Sequence, residues 1–200
     1  MFPEVTRDDI FRLETKRLWL RWPRAADAES IVRFAGDPEV ALKTAAIPYP
    51  YTRSHAESFI LEARNGNAQG KQLILALTLK SQPHEAIGVI SAHGAPERGT
   101  TTLGFWLGRP FWGQGLMGEA AAAFVDLLFT VTGVQQIDAS ALQANEASLH
   151  IQKKLGFVSL GVGSVDAPAR GGELTVERMR LLRGENRTLF ATRRPKLTSA

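Results

Sequence analysis

Cysteine is absent from the 200 residues of this chain, which excludes a disulfide framework, a thiolate zinc site and any covalent thioester carried on the protein itself. Long apolar runs are missing too, since none approaches the roughly 20 residues that a membrane helix needs. Residues 1–10 are acidic where a secretory signal would be basic and then apolar. The expectation is a soluble, cytoplasmic protein with no membrane contact. Histidine is scarce, and His55, His84, His93 and His150 show no ligand spacing, so no metal is expected.

What is present fits one well-buried core, because 44% hydrophobic and 22% charged residues lie within the ordinary globular range. The formal charge of +4 is partly an end effect, with Arg187, Arg193, Arg194 and Lys196 in the last segment against Glu185 alone. Residues 184–200 are therefore expected to form a disordered basic tail, residues 13–183 one domain, and residues 1–12 an N-terminal extension. Nucleic acid is not an expected partner, since basic and aromatic residues do not interleave as a stacking surface requires.

Residues 16–22 alternate basic and apolar side chains and stop at Pro23, the pattern of a half-buried strand. Asp27 is placed to cap a short helix through Phe34, and Thr52 or Ser54 to cap a second that ends near Asn65-Gly66. Residues 72–79 and 86–93 read as an antiparallel hairpin around Ser81-Gln82-Pro83-His84, and residues 101–107 as a third strand. Ala121, Phe124, Val125, Leu128 and Phe129 recur at helical spacing, with Gly133 as the closing cap. A strand over 134–142, a helix over 146–155 ended by Gly156, and strands over 157–162 and 173–182 complete the order. That order predicts an α+β (mixed α/β) fold: a twisted, mostly antiparallel central sheet of about seven strands with helices on both faces.

Between the third strand of this meander and the long helix lies Phe111-Trp112-Gly113-Gln114-Gly115-Leu116-Met117-Gly118-Glu119. Backbone N–H groups converge there on a positive helix terminus, which suits phosphate, and glycines at 113 and 115 carry no Cβ to block an oxygen. A tight turn with no ligand would use the same glycines. Gly113, Gly115 and Gly118 also satisfy G-x-G-x-x-G, with Asp138 at the spacing of a ribose-binding acid, so a dinucleotide-binding oxidoreductase is a competing reading. Against it, Gly108-Arg109-Pro110-Phe111-Trp112 separates the strand from the fingerprint, and the preceding strands read as antiparallel.

Three segments together carry a family likeness: Glu14-Thr15-Lys16-Arg17-Leu18; Leu103-Gly104-Phe105-Trp106-Leu107 through the glycine loop; and Asn145-Glu146-Ala147-Ser148 leading to Lys154-Leu155-Gly156-Phe157. Over residues 13–183 the chain resembles the GNAT acetyltransferase superfamily, in the branch of the Rim-type ribosomal-protein N-terminal acetyltransferases. The superfamily's pattern of Gln or Arg, two residues, Gly, one residue, Gly or Ala falls here on Trp112, Gly115 and Met117, so its first and last positions depart from it. The resemblance implies a GNAT-like fold with acetyl-CoA as cosubstrate. It implies that Trp112, Gly113, Gln114, Gly115, Leu116, Met117 and Gly118 hold the pyrophosphate. It further implies that Phe105, Trp106 and Leu107 form a splayed edge for pantetheine, with backbone N–H near Trp106 or Leu107 steadying the oxyanion. Asn145 would contact the pantetheine or thioester end, Ser148 would be the proton donor near the sulfur, and Lys153 would meet a cofactor phosphate. Taken alone, Asn145 also fits a helix cap and Ser148 a first helical turn.

The reaction so implied is direct attack of a neutral amine on the acetyl thioester. Relatives place Glu as general base where this chain has Thr102, and others place a Tyr acid where it has Gln152. His93 and Glu97 are candidate replacements for the base. Without a carboxylate base the acceptor's own pKa matters, because an α-amine is easier to deprotonate than a lysine by about 3.5 kcal/mol. The expected acceptor is thus a protein or peptide α-amine or a small weakly basic amine. Its pocket is expected from the two N-terminal helices and the loop over 162–172, with Pro48-Tyr49-Pro50-Tyr51 as rim. A non-catalytic acyl-CoA sensor and a homodimer both remain open.

Overall fold

The computed structural model describes residues 1–94, 96–185 and, for backbone only, 196–198. Its centre is β3 (Gln72–Leu79), a continuous apolar run buried on both faces. Side chains alternate along it, so Leu73, Leu75 and Leu77 enter one core while Ile74 and Ala76 enter the other. Around β3 lies a nine-stranded sheet in the order β7-β8-β6-β5-β4-β3-β2-β1-β9. The further strands are β1 (Arg12–Glu14), β2 (Leu18–Arg21), β4 (Gly88–His93), β5 (Thr100–Leu107), β6 (Gln136–Leu142), β7 (Val158–Ala167), β8 (Gly172–Leu182) and β9 (Lys196–Thr198). Every neighbouring pair is antiparallel except β5 with β6.

One face carries α1 (Ala28–Ala35) and α3 (Arg53–Ala68), with α2 (Pro38–Ala41) between them in sequence. Small residues Ala28, Ala35 and Ala56 bring these helices close to Ala76 and Ala86. The other face is covered by α4 (Leu116–Val131), apolar almost all round because it lies in the main core, and by α5 (Glu146–Leu155). Thr52 caps α3 as expected, and Gly156 closes α5 in the left-handed region.

The sheet exceeds the expected strand number because the residues thought to open the first strand form a turn instead. Thr15 N bonds Leu18 O at 3.0 Å. The turn is held from outside: Glu119 on α4 accepts from Thr15 Oγ1 at 2.6 Å and from the Arg17 amide and Nε at 2.7 Å. Residues 12–14 thereby become a separate strand, on which β9 lies antiparallel. The expected disordered tail thus supplies a strand at Lys196–Thr198, while residues 186–195, with Arg187, Arg193 and Arg194, lie outside the described residues. At the other edge, β7 runs to Ala167, converting half of the expected acceptor loop into strand. The helix α3 runs past Asn65-Gly66 to Ala68.

Asp27 does not cap α1. Its carboxylate is fully buried and accepts two bonds of 2.7 Å from Arg21, plus one of 2.7 Å from the Arg24 amide. Cutting Asp27 to alanine would leave the Arg21 guanidinium charged, buried and unpaired. The expected cost is about 3–5 kcal/mol of unfolding free energy, measured by urea denaturation of Asp27→Ala against wild type.

Candidate active site

The parallel contact between β5 and β6 is short. Thr100, Thr101 and Thr102 pair with Gln136, Ile137 and Asp138, and the two strands then part. Beyond that point β5 stays paired with β4 as far as Leu107, and β6 with β8 as far as Leu142. A wedge therefore opens between two well-supported strands.

Register decides which groups face the wedge. Gly108 N bonds Ile87 O at 2.8 Å on the β4 side, and Gln136 N bonds Gly99 O at 3.0 Å on the β6 side. Backbone direction alternates along a strand, so Thr102, Gly104 and Trp106 turn their N–H and C=O toward β4, whereas Leu103, Phe105 and Leu107 turn theirs toward the wedge. On the opposite wall the same alternation presents Ser140 and Leu142. The Leu142 carbonyl is taken by Asn145 N at 2.8 Å, and the Leu107 carbonyl by Trp112 Nε1 at 2.7 Å. Phe105 and Ser140 keep both backbone groups for a third party. The expected oxyanion donor near Trp106 is corrected by this register, because the Trp106 backbone is turned to Val89.

The wedge opens into a cleft of about 960 Å³. Phe105, Trp106, Thr102, Asn145, Ser148 and Gln152 lie on its walls with Ser140, Ala141 and Leu142. Across from them are α1 and α3 residues and the segment 43–48, with Tyr51, Val165, Leu174 and Val176. Of the four residues expected as rim, Pro48 and Tyr51 line the cleft, and the residue of the 162–172 segment on the wall is Val165, within β7. Leu107 is buried outside the cleft lining, and Lys153 sits exposed on α5, away from it.

Asn145 is the N-cap of α5, its Oδ1 accepting from Ser148 N at 3.2 Å. Ser148 Oγ accepts from Gln152 Nε2 at 3.1 Å. Of the candidate bases, His93 is on the cleft wall opposite Thr102 in register; its side chain is exposed at the surface, yet the protein packed around the ring desolvates it enough to lower its pKa. Glu97 lies outside the cleft lining and is ion-paired with the Met1 amino group. The carboxylate that does line the cleft, Glu62 of α3, has a spacing signal only as a polar position on a helix. Burial and the Glu62 charge together push Tyr51 up to about 12, so it stays a neutral hydroxyl.

At the far end of β5, the glycine loop is pre-shaped. Gly113 and Gly115 adopt φ of 73° and 71°, the left-handed region that side chains resist, and Gly115 is the N-cap of α4. A Cβ placed on Gly113 or Gly118 would meet nothing within 4 Å, so the loop's outer face is open. The first amides of α4, from Leu116, Met117 and Gly118, have no intrahelical acceptor. Gln114 is tied down by Arg17 Nη1, which bonds its carbonyl at 2.8 Å, and by its own side chain on Pro110 O at 3.0 Å. Lys43 Nζ stands 4.7 Å from the Trp112 ring centroid, placing a cation beside the loop. Burial works to raise the pKa of Glu119, which anchors Arg17, but the bonds from Thr15 and Arg17 outweigh it and lower the pKa.

This geometry excludes the dinucleotide fold, since β3, β4 and β5 form an antiparallel meander and a 3-10 turn (Arg109–Phe111) precedes the loop. Asp138 is engaged by Arg180 at 2.8 Å. Among the described residues no cluster of three or more metal-ligating side chains forms, and no helix is long and apolar enough to cross a membrane.

No curated protein compared with the chain matches it by sequence. Solved structures do match in fold. A microcin self-immunity acetyltransferase, MccE, with acetyl-CoA and AMP bound is 20% identical, with a TM-score of 0.69 over 84% of this chain and 93% of its own. RimL, a ribosomal-protein α-N-acetyltransferase with coenzyme A, is 16% identical, with a TM-score of 0.71 over 84% and 95%. A ribosomal-protein alanine acetyltransferase from Vibrio fischeri is 18% identical, with a TM-score of 0.72 over 88% and 98%. The acetyltransferase (GNAT) domain model matches residues 17–158, most of the chain, and the protein therefore belongs to the GNAT acetyltransferase family.

Proposed function

We propose that this enzyme moves an acetyl group from acetyl-CoA directly to a primary amine, and that the acceptor is a protein or peptide α-amine or a small weakly basic amine. The observation that carries the reading is the wedge, whose walls offer the unpaired amide groups of Phe105 and Ser140 to an amide-bearing chain. Pantetheine carries two amides and fits that demand. The open amides at the start of α4, with Gly113 and Gly115, then receive the pyrophosphate. A cofactor so threaded delivers its thioester to Asn145 and Ser148 at the cleft.

The amine approaches from the side of α1 and α3, attacks the carbonyl carbon, and the C–S bond breaks. The Phe105 amide, turned to the wedge and on the cleft wall, is placed to bond the oxyanion. His93 takes the proton that the amine loses, since it is the neutral ring on the wall beside Thr102. Ser148 donates a hydrogen bond to the departing thiolate. No carboxylate on β4 or β5 lines the cleft, which favours an acceptor that is already partly neutral at pH 7. A sensor that binds acyl-CoA without turnover would share the loop and the wedge and differ in releasing no thiol.

Acetyl-CoA at about 100 times its Kd should raise stability by about 2.7 kcal/mol, and NAD should not shift the melting curve. Thiol release must then follow on adding peptides with a free N-terminus, with lysine side chains in N-blocked peptides markedly slower. Equal rates for the two would remove the acceptor preference, and absence of thiol release with every amine would leave the sensor.

Gly115→Ala forces a side chain into the left-handed region, at about 1–2 kcal/mol. It should raise the KM for acetyl-CoA several-fold and leave the amine's KM unchanged. His93→Gln should lower kcat about 100-fold or more. In wild type, activity should fall as pH drops through a His93 pKa held below its ordinary 6.5, and this limb should vanish in the variant.

A further inference from the structure

Gln152 is the most buried polar side chain on the cleft wall, with 1% exposure, and its Oε1 has no hydrogen-bond partner among the described residues. Its Nε2 donates to Ser148 Oγ one helical turn earlier. Ser and Thr hydroxyls inside helices usually turn back to donate to a carbonyl three or four residues before them. Ser148 makes no such bond among the described residues; its Oγ serves as acceptor, so the hydroxyl proton is left to point elsewhere. Ser148 is half-buried on the cleft wall, and the wedge is where the proton can go.

Amide orientation fixes the sign of this effect. With nitrogen toward Ser148, the amide leaves its carbonyl oxygen and one N–H unsatisfied. Turned about, it would accept the Ser148 proton and leave both N–H groups unsatisfied, so the two orientations orphan equally many groups while the second leaves the hydroxyl nothing to offer. The structure holds the first, in which the serine proton stays free for the wedge.

We propose that Gln152 is a positioning residue that holds the Ser148 hydroxyl with its proton facing the thioester sulfur. The inference rests on the acetyl-transfer reading and deepens it. A serine hydroxyl is too weak an acid to surrender its proton outright to a thiolate. Its part is to donate a hydrogen bond as C–S cleavage places negative charge on sulfur, after which the thiolate collects its proton from solvent.

The test is a double-variant cycle on Ser148→Ala and Gln152→Leu, with kcat and acetyl-CoA KM measured alongside thermal stability. Gln152→Leu should lower kcat about 3- to 10-fold, one hydrogen bond's worth, with KM little changed and no loss of melting temperature. The double variant should be no slower than Ser148→Ala alone. Multiplying penalties in the double variant, or a Gln152→Leu effect confined to KM, would overturn the proposal while wild-type turnover kept the acetyl-transfer reading intact. A wild type that releases no thiol would overturn that reading instead.

Discussion

Two strands that begin side by side and then separate are the constraint on which the site depends. Three residue pairs join β5 to β6, and beyond them each strand keeps only its outer partner. A sheet interrupted in this way would normally incur the desolvation cost of unpaired amides. Here the break lies beside a large cleft, so the exposed groups stay wet until a ligand arrives. The parallel direction of this pair follows from α4, which crosses over between the two strands and carries the chain back to the same end. The same helix thus supplies both the wedge and the amides at its own start.

Glu119 connects that helix to the other half of the sheet. It fixes the turn between β1 and β2 through Thr15 and Arg17, and Arg17 in turn holds the Gln114 carbonyl. The glycine loop proposed to face phosphate is therefore braced by a carboxylate on the following turn of helix and an arginine from the N-terminal hairpin. Such support would let the backbone do the binding while Trp112 and Met117 differ from the wider superfamily pattern.

Much of this was readable in the sequence where period and punctuation agree. Residues 146–155 matched α5 to the residue, because Asn145 and Gly156 mark both ends. The hairpin of β3 and β4 followed from two apolar runs around Pro83. The reading failed where a distant partner overrides local pattern: Lys16 and Arg17 continue a strand-like alternation yet form a turn because Glu119, over a hundred residues later, accepts hydrogen bonds from Thr15 and from Arg17 itself. Asp27 reads as a cap and is instead the counter-ion of Arg21. Glu62 carried no spacing signature, whereas the i,i+4 spacing of Ser148 and Gln152 on the expected helix shows their adjacency but not that one bonds the other. Backbone direction at Phe105 and Trp106 required a pairing register that no single strand contains.

The unpaired walls of the wedge also mean that the empty protein carries its sheet as two panels, joined by three rungs at one end and by the packing of α4 against both. A ligand that bonds Phe105 on one panel and Ser140 on the other would act as the missing strand. Binding such a ligand and closing the sheet would then be thermodynamically linked, each favouring the other.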